Sequence, residues 1–292
     1  MEQYKNIGLI GRVENAAVIE SISVIQDYLL SRGLNVIIEE KTAAAISDHG
    51  MTVCDQQALG ETSDLVIVVG GDGSMLGAAR ALARHKVPVL GVNRGRLGFL
   101  TDISPSNLEA GLEQVLKGNY ILENRFLLEA TIQRDGESVG LGHALNDVVL
   151  QPGMATRMIE FELFVDGLFV YSQRSDGLII ATPTGSTAYA LSAGGPIMHP
   201  SLDAMVLVPM FPHTLTNRPI VVSGGSEIKI VVSEENHSDL QISCDGQDNF
   251  TVIPGDLISI HKYPHKLRLI HLMDHNYYEV CRNKLGWGSR LA

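Results

Sequence analysis

Asp72 sits in Gly70-Gly71-Asp72-Gly73-Ser74-Met75-Leu76-Gly77, a carboxylate in a turn almost bare of side chains. Glycines let a backbone approach a ligand closely and adopt positive φ where needed. The N–H groups that open a following helix can receive an anion. A carboxylate is a poor direct neighbour for phosphate, so its presence points to proton acceptance from an attacking hydroxyl or to an intervening Mg²⁺. A plain helix cap is the structural alternative. The segment is not G-x-G-x-x-G, and the sequence contains no Gly-Lys-Ser/Thr, H-E-x-x-H or G-x-S-x-G. Dehydrogenase, P-loop, zinc-protease and serine-hydrolase chemistries are therefore not indicated.

Three further segments offer ligand groups. Asn93-Arg94-Gly95-Arg96-Leu97-Gly98-Phe99-Leu100 carries two arginines, whose planar heads suit phosphate. Arg174-Ser175-Asp176-Gly177 precedes a short apolar run and then Thr182-Pro183-Thr184-Gly185-Ser186-Thr187-Ala188-Tyr189-Ala190-Leu191-Ser192. The hydroxyls and glycines of that run suit a ribose or diphosphate, and Tyr189 can stack on an adenine. Asn146-Asp147 adds an amide and a carboxylate fit for sugar hydroxyls. The pairs His261/His265 and His271/His275 have metal-like spacing. Pro264 argues against a helix under the first, however, and no carboxylate or cysteine pattern in the sequence completes either as a site.

The elements that hold these groups divide in two. In the first third, strand-like Ile7–Ile10, Val36–Ile38, Leu65–Val69 and Val87–Val92 alternate with helical patterns such as Ala16 to Leu30. Leu65–Val69 is apolar without alternation, which predicts burial on both faces in a parallel sheet. The motif of Asp72 follows it directly, at the carboxyl edge where α/β sheets bind ligands. Beyond Asn124, short strands at Phe126–Ile132, Val148–Leu150, Ile159–Val165, Leu178–Ala181, Glu227–Val232, Leu240–Cys244, Leu257–His261 and Leu267–His271 are punctuated by Asp-Gly turns. The expected fold class is α/β: a Rossmann-like parallel-sheet domain over 1–124, then a predominantly β domain over 125–275. The tail, 276–292, carries Trp287 and is expected to pack back on the first domain.

Composition narrows the partners. The 292 residues carry a formal net charge of -11, a sign that repels phosphate backbones and argues against general nucleic-acid binding. Cys54, Cys244 and Cys281 form no framework, which suits a reducing compartment. No leader-like start and no run of 18 apolar residues is apparent, so a cytoplasmic protein off the membrane is expected.

Taken in order, Gly70-Gly71-Asp72-Gly73, the Asn93–Leu100 segment, Asn146-Asp147, Arg174–Gly177, Thr182–Tyr189 and Asp245-Gly246-Gln247 resemble the NAD kinase family, nearest its proteobacterial branch. The resemblance implies transfer of a phosphoryl group from ATP to the adenosine ribose 2′-hydroxyl of NAD, at an active site between the two domains, with Asp72 as the base. It implies Gly73 in the nucleotide turn, Asn146 and Asp147 on ribose hydroxyls, and Arg157, Arg174 and Asp176 on further nucleotide positions. Thr187, Ala188, Tyr189, Ala190, Leu191 and Ser192 would surround the adenine, and Gln247 would close the site. Many members have Asn-Glu where this chain has Asn146-Asp147, so the shorter carboxylate reaches differently. Mg²⁺ or another divalent ion and a homodimer or homotetramer are implied as well. Lipid kinases share the glycine–aspartate loop but need an apolar acyl pocket. A non-catalytic dinucleotide sensor is the rival from another class.

Overall fold

The computed structural model describes residues 4–12, 16–47, 49–94, 98–153, 157–214, 216–237 and 239–287. In chain order the first elements are β1 (Asn6–Gly11), α1 (Ala16–Ser31), β2 (Asn35–Glu39), α2 (Glu40–Ala43), β3 (Thr52–Cys54) and α3 (Gln56–Thr62). They continue with β4 (Leu65–Gly70), α4 (Asp72–Leu82), β5 (Pro88–Asn93) and α5 (Leu108–Leu116). The β-rich stretch contains β6 (Tyr120–Arg134), β7 (Glu137–Ala144), β8 (Asp147–Pro152), β9 (Ile159–Val165), β10 (Leu168–Ser175) and β11 (Gly177–Ala181). After the short α6 (Tyr189–Ser192) come β12 (Ala204–Met210), β13 (Ile220–Ser223), β14 (Ile228–Val232), β15 (Leu240–Cys244), β16 (Asp248–Val252), β17 (Leu257–Leu272) and α7 (Tyr277–Leu285).

The chain forms two compact units, one from residues up to Asn124 together with those from Lys266 on, the other from Arg125 to His265. The expected β domain ran on to His275. The end of β17 instead belongs to the first unit because Arg268–Ile270 pair in parallel with Pro88–Leu90 of β5. Leu257–His261 and Leu267–His271, read as separate strands, are one strand. Pro264, which lacks an N–H, falls between the stretch paired with β14 and the stretch paired with β5.

In the first unit the strand order is β3-β2-β1-β4-β5-β17, all parallel. Leu65–Gly70 is buried along its whole length, as a strand covered on both faces must be. Its side chains pack with Ile22, Ile25 and Leu29 of α1. The order reverses between β1 and β4, and the crevice beyond the carboxyl ends at such a reversal is where doubly wound sheets take ligands. Gly70 to Asp72 leaves β4 at that point, and Arg12 leaves β1 beside it, its N–H on Val69 O at 3.3 Å.

The second unit is mostly antiparallel. One sheet runs β13-β12-β11-β8-β15-β16; β10, β9 and β14 pair in sequence with the first half of β17, and β6 with β7 forms a hairpin. Asp135-Gly136 and Asp166-Gly167 have positive φ at both residues, the conformation a two-residue hairpin turn requires, and Asp245-Gly246 have it within the three-residue turn from Cys244 to Asp248.

Candidate functional site

The turn after β4 does not use Asp72 as a helix cap. Gly71, not Asp72, is the N-cap of α4, and no side chain caps that end. Asp72 is the first helical residue, and its carboxylate turns to the segment after β5, accepting Phe99 N–H at 3.0 Å and Leu100 N–H at 3.1 Å. The partners are backbone groups brought near because β4 and β5 are neighbours, with Gly70 paired to Asn93. One donor per oxygen fixes the carboxylate and leaves each oxygen further acceptor capacity.

The two glycines flanking this contact act differently. A Cβ on Gly98 would lie 2.1 Å from Asp72 Oδ1 and 2.6 Å from Thr101 Oγ1, so that position is glycine because the carboxylate is there. Gly71 has φ -111°, which any residue adopts, and a Cβ there would meet none of the described residues within 4 Å. Among the described residues nothing requires glycine at position 71, and a bare backbone there allows close approach by a ligand. Gly73 is exposed in the first turn of α4. Of the two arginines expected to bind phosphate, Arg94 is engaged elsewhere: its side chain donates to Ala17 O and pairs with Glu20 at 2.6 Å. Arg96 lies outside the described residues.

In the second unit Asn146 precedes β8 and Asp147 opens it, along one wall of a groove of about 380 Å³. Alternation along two paired strands builds the groove floor. Asp147, Val149 and Gln151 of β8 share a face with Gln241, Ser243 and Asp245, while Val148, Leu150 and Ile242 point into the core. Ala188, Tyr189 and Asn249 complete the lining. Gln151, Gln241, Ser243 and Asn249 were not singled out from the sequence, although their period-two spacing with Asp147 and Asp245 is visible in it.

Asp245 organises one end. Held in its positive-φ turn, it accepts N–H groups from Leu145 (3.0 Å), Asn146 (2.7 Å) and Asp147 (3.3 Å). Thr182 closes the other side, its hydroxyl on Leu145 O at 2.6 Å and its N–H on Asn146 O at 2.9 Å. Gly185 lies against the same backbone so tightly that a Cβ would be 2.1 Å from Asn146 O. The Thr-Pro-Thr-Gly-Ser-Thr run is thus first a clamp on Asn146. Of its downstream part, Ala188 and the half-exposed Tyr189 face the groove. Ala190 does not, because its side chain is buried among Ile179, Val206 and Val208. Thr187 bonds back to Thr184 O at 3.2 Å, and neither Leu191 nor Ser192 lines the groove.

Arg157 and Arg174 line a separate cavity of about 430 Å³ with Glu160, Glu235 and His237. Asp176 is exposed between β10 and β11, its N–H on Met210 O, and lines neither cavity. Gln247 is exposed on the β15–β16 turn, one residue beyond the lining Gly246.

Burial pushes the Asp147 carboxyl up to about 7, and the neighbouring Asp245 adds to the effect. Near neutrality Asp147 can therefore donate as well as accept a hydrogen bond to a diol. The sign for stability follows from linkage. From the unfolded value of about 3.9 up to about 7, the unfolded chain loses this proton first, so stability falls as pH rises through that window. The ligand-free chain is expected to melt at a higher temperature at pH 6 than at pH 8. Asp147→Asn is expected to flatten that difference, removing up to a few kcal/mol of pH dependence at about 1.4 kcal/mol per unit. Thermal melts of both proteins across pH 5–8 check it; an unchanged slope in the variant contradicts it.

Two family models match the chain: the ATP-NAD kinase N-terminal domain over residues 7–120 and the ATP-NAD kinase C-terminal domain over residues 145–272. The NAD kinase of Pseudomonas syringae pv. syringae is 64% identical over 292 residues, covering 100% of this chain and 99% of that one. The NAD kinase of Ectopseudomonas mendocina is equally similar, 64% identical with the same coverage. Among solved structures, yeast NADH kinase complexed with NADH superposes with a TM-score of 0.92 at 25% identity, over 100% of this chain and 90% of that chain. An NAD kinase from Archaeoglobus fulgidus in complex with ATP gives 0.72 at 26% identity, covering 96% and 97%.

Proposed function

This chain belongs to the NAD kinase family, and on that premise we propose that Asp72 accepts the proton of the NAD ribose 2′-hydroxyl as it is phosphorylated. The enzyme is a phosphotransferase with an alcohol acceptor that converts NAD and ATP to NADP and ADP. The 2′-oxygen bonds to the γ-phosphorus of ATP, the bond from that phosphorus to the β–γ bridging oxygen breaks, and ADP leaves. Positioning and charge neutralisation account for most of such catalysis. The observation that carries the proposal is the carboxylate of Asp72, fixed by Phe99 and Leu100 N–H at the reversal point of the parallel sheet, with acceptor capacity to spare.

The groove along β8 and β15 is proposed as the seat of the adenosine half of NAD. There Asn146 and Asp147 meet ribose hydroxyls and Tyr189 stacks on the adenine, with Ala188 beneath it. Gly73 shares the nucleotide turn with Asp72. Arg157, Arg174 and Asp176 would contact other parts of the dinucleotide, and Gln247 lies at the rim. Stacking on an aromatic ring contributes about 1–3 kcal/mol per base. Tyr189→Ala is therefore expected to raise the KM for NAD by roughly 5- to 150-fold with kcat changed far less. Steady-state kinetics at fixed saturating ATP decide this, and an unchanged KM removes Tyr189 from the site.

A divalent ion, Mg²⁺ for choice, fits this arrangement. It prefers oxygen ligands, takes one or two carboxylates, and keeps waters and substrate phosphates for the rest. Asp72 is such a carboxylate, and an ion held there with the triphosphate would offset charge on the β- and γ-phosphates. The proposed setting is the cytoplasm, where Cys54, Cys244 and Cys281, all free thiols, stay reduced. A homodimer or homotetramer is proposed too; light scattering on the purified chain checks it, and a monomeric mass contradicts it.

A further inference from the structure

We propose that Asp102, His271 and His275 form a binding site for a divalent transition-metal ion of the zinc type, separate from any ion carried by the nucleotide. Asp274 lies between His271 and His275 in the sequence, but it is not the carboxylate that meets both imidazoles. The fold supplies that one from 169 residues away. His271 lies near the carboxyl end of β17, beside β5, and Asp102 lies on the segment returning from β5, its N–H on Gly91 O at 3.3 Å. His275 follows in the turn beyond β17, its N–H on Leu272 O at 3.0 Å.

One ligand atom from each of the three residues falls within 4.8 Å of the other two. Ligands about 2.1 Å from a tetrahedral zinc stand about 3.4 Å apart, so the widest gap needs to close by little more than an ångström. Asp102 Oδ2 is 2.8 Å from His271 Nδ1, and Asp102 Oδ1 is 3.1 Å from His275 Nδ1. The two imidazoles stack at 3.8 Å.

The carboxylates around His271 call for positive charge at its ring. His271 is 1% exposed, and both of its ring nitrogens face carboxylates: Nδ1 faces Asp102, and Nε2 faces Glu123 at 3.1 Å. A neutral imidazole has one N–H, and an ionised carboxylate only accepts. If Nε2–H donates to Glu123, Nδ1 presents a lone pair to the Asp102 carboxylate, a repulsive contact unless a positive charge sits between them. A proton or a metal ion on Nδ1 supplies that charge. With the metal ion, Glu123 becomes the outer carboxylate that fixes the tautomer of a metal-bound histidine. A single proton on His271 would meet the same two carboxylates, so metal and proton compete for Nδ1.

A cavity of about 220 Å³, bounded by Asp102, His275, Asn276, Glu279 and Asn283, opens onto the cluster. It gives an ion a way in and room for water in the remaining coordination positions. Two imidazoles with one carboxylate favour zinc, cobalt or nickel over magnesium and calcium, which take oxygen ligands. The site would tie the segment carrying Phe99 and Leu100, the donors to Asp72, to the end of β17.

The test uses the full, untagged chain, treated with chelator and free of nucleotide, titrated with Co²⁺ and followed by visible absorption. One equivalent is expected to produce ligand-field bands that Zn²⁺ abolishes and excess Mg²⁺ leaves in place. His275→Gln is expected to lose the bands, and Glu123→Gln to weaken binding about 10- to 100-fold. Circular dichroism of each variant separates loss of a ligand from loss of fold. The wild-type titration stands without any variant. Absence of Co²⁺ bands together with no zinc retained after gel filtration overturns the proposal. So does binding that survives unchanged in both folded His271→Gln and His275→Gln, because the ion then sits elsewhere.

Discussion

Asp72→Asn is expected to lower kcat about 10²- to 10⁴-fold, the usual contribution of a positioned proton acceptor, while the KM for NAD changes only a few-fold. The amide keeps the size of the side chain but has one oxygen where two are needed. Either Phe99 N–H or Leu100 N–H must then face an NH₂ group in place of an acceptor. That mismatch costs about 1–3 kcal/mol of local stability, too little to unfold the chain but enough for a measurable fall in melting temperature. The split between kcat and KM is the diagnostic part. A purely structural Asp72 would lower the melting temperature without selectively removing turnover.

Gly98→Ala is expected to reach the same carboxylate from the other side and cost about 100-fold in kcat. The new methyl carbon would stand 2.1 Å from Asp72 Oδ1 and 2.9 Å from Asp72 Cγ, with Thr101 Oγ1 only 2.6 Å away. Relief requires the carboxylate or the Phe99–Leu100 segment to shift by about an ångström, a displacement that in a positioned active site is worth about 10² in rate. Overpacking of this kind also costs about 1–3 kcal/mol. Gly71→Ala is the matched control for stability: its methyl meets none of the described residues within 4 Å, so its melting temperature is expected to stay put, and any loss of turnover reports on ligand approach. Kinetics and melts of the three proteins side by side check both statements. Near-normal kcat in Gly98→Ala would show that the close packing of Gly98 on Asp72 is immaterial to catalysis.

What the residues alone disclose, and what they hide, follows from the range of the forces involved. Leu65–Val69 is legible as a doubly covered parallel strand because burial on both faces leaves an unbroken apolar run. The Asp-Gly turns are legible because positive φ at two successive positions restricts residue type. Ala204–Met210 is harder: it too lacks alternation, being buried against Ile179 and Val149 on one face and the main β core on the other, and it contains Pro209. Both features obscure a strand in an antiparallel sheet.

The candidate site divides in the same way. Asp72, Asn146, Asp147 and Tyr189 stand out by type and setting. Phe99 and Leu100 do not, because they act through backbone N–H groups that every residue but proline has. Gly98 is their single trace in the sequence. Arg94 has the right chemistry for phosphate but is claimed by Glu20, a partner 74 residues away that no local pattern announces. The same separation in sequence conceals Asp102 from His271 and His275.

The role of Asp72 is decided at the chemical step itself. Rapid-quench measurement of NADP formation in a single turnover, with NAD and ATP pre-equilibrated at saturation, isolates that step from binding and product release. For Asp72→Asn the predicted result is phosphoryl transfer slower by at least about 100-fold, with the Kd for NAD on the same preparation within a few-fold of the parent. Equal single-turnover rates in the two proteins would contradict the role of Asp72 as proton acceptor.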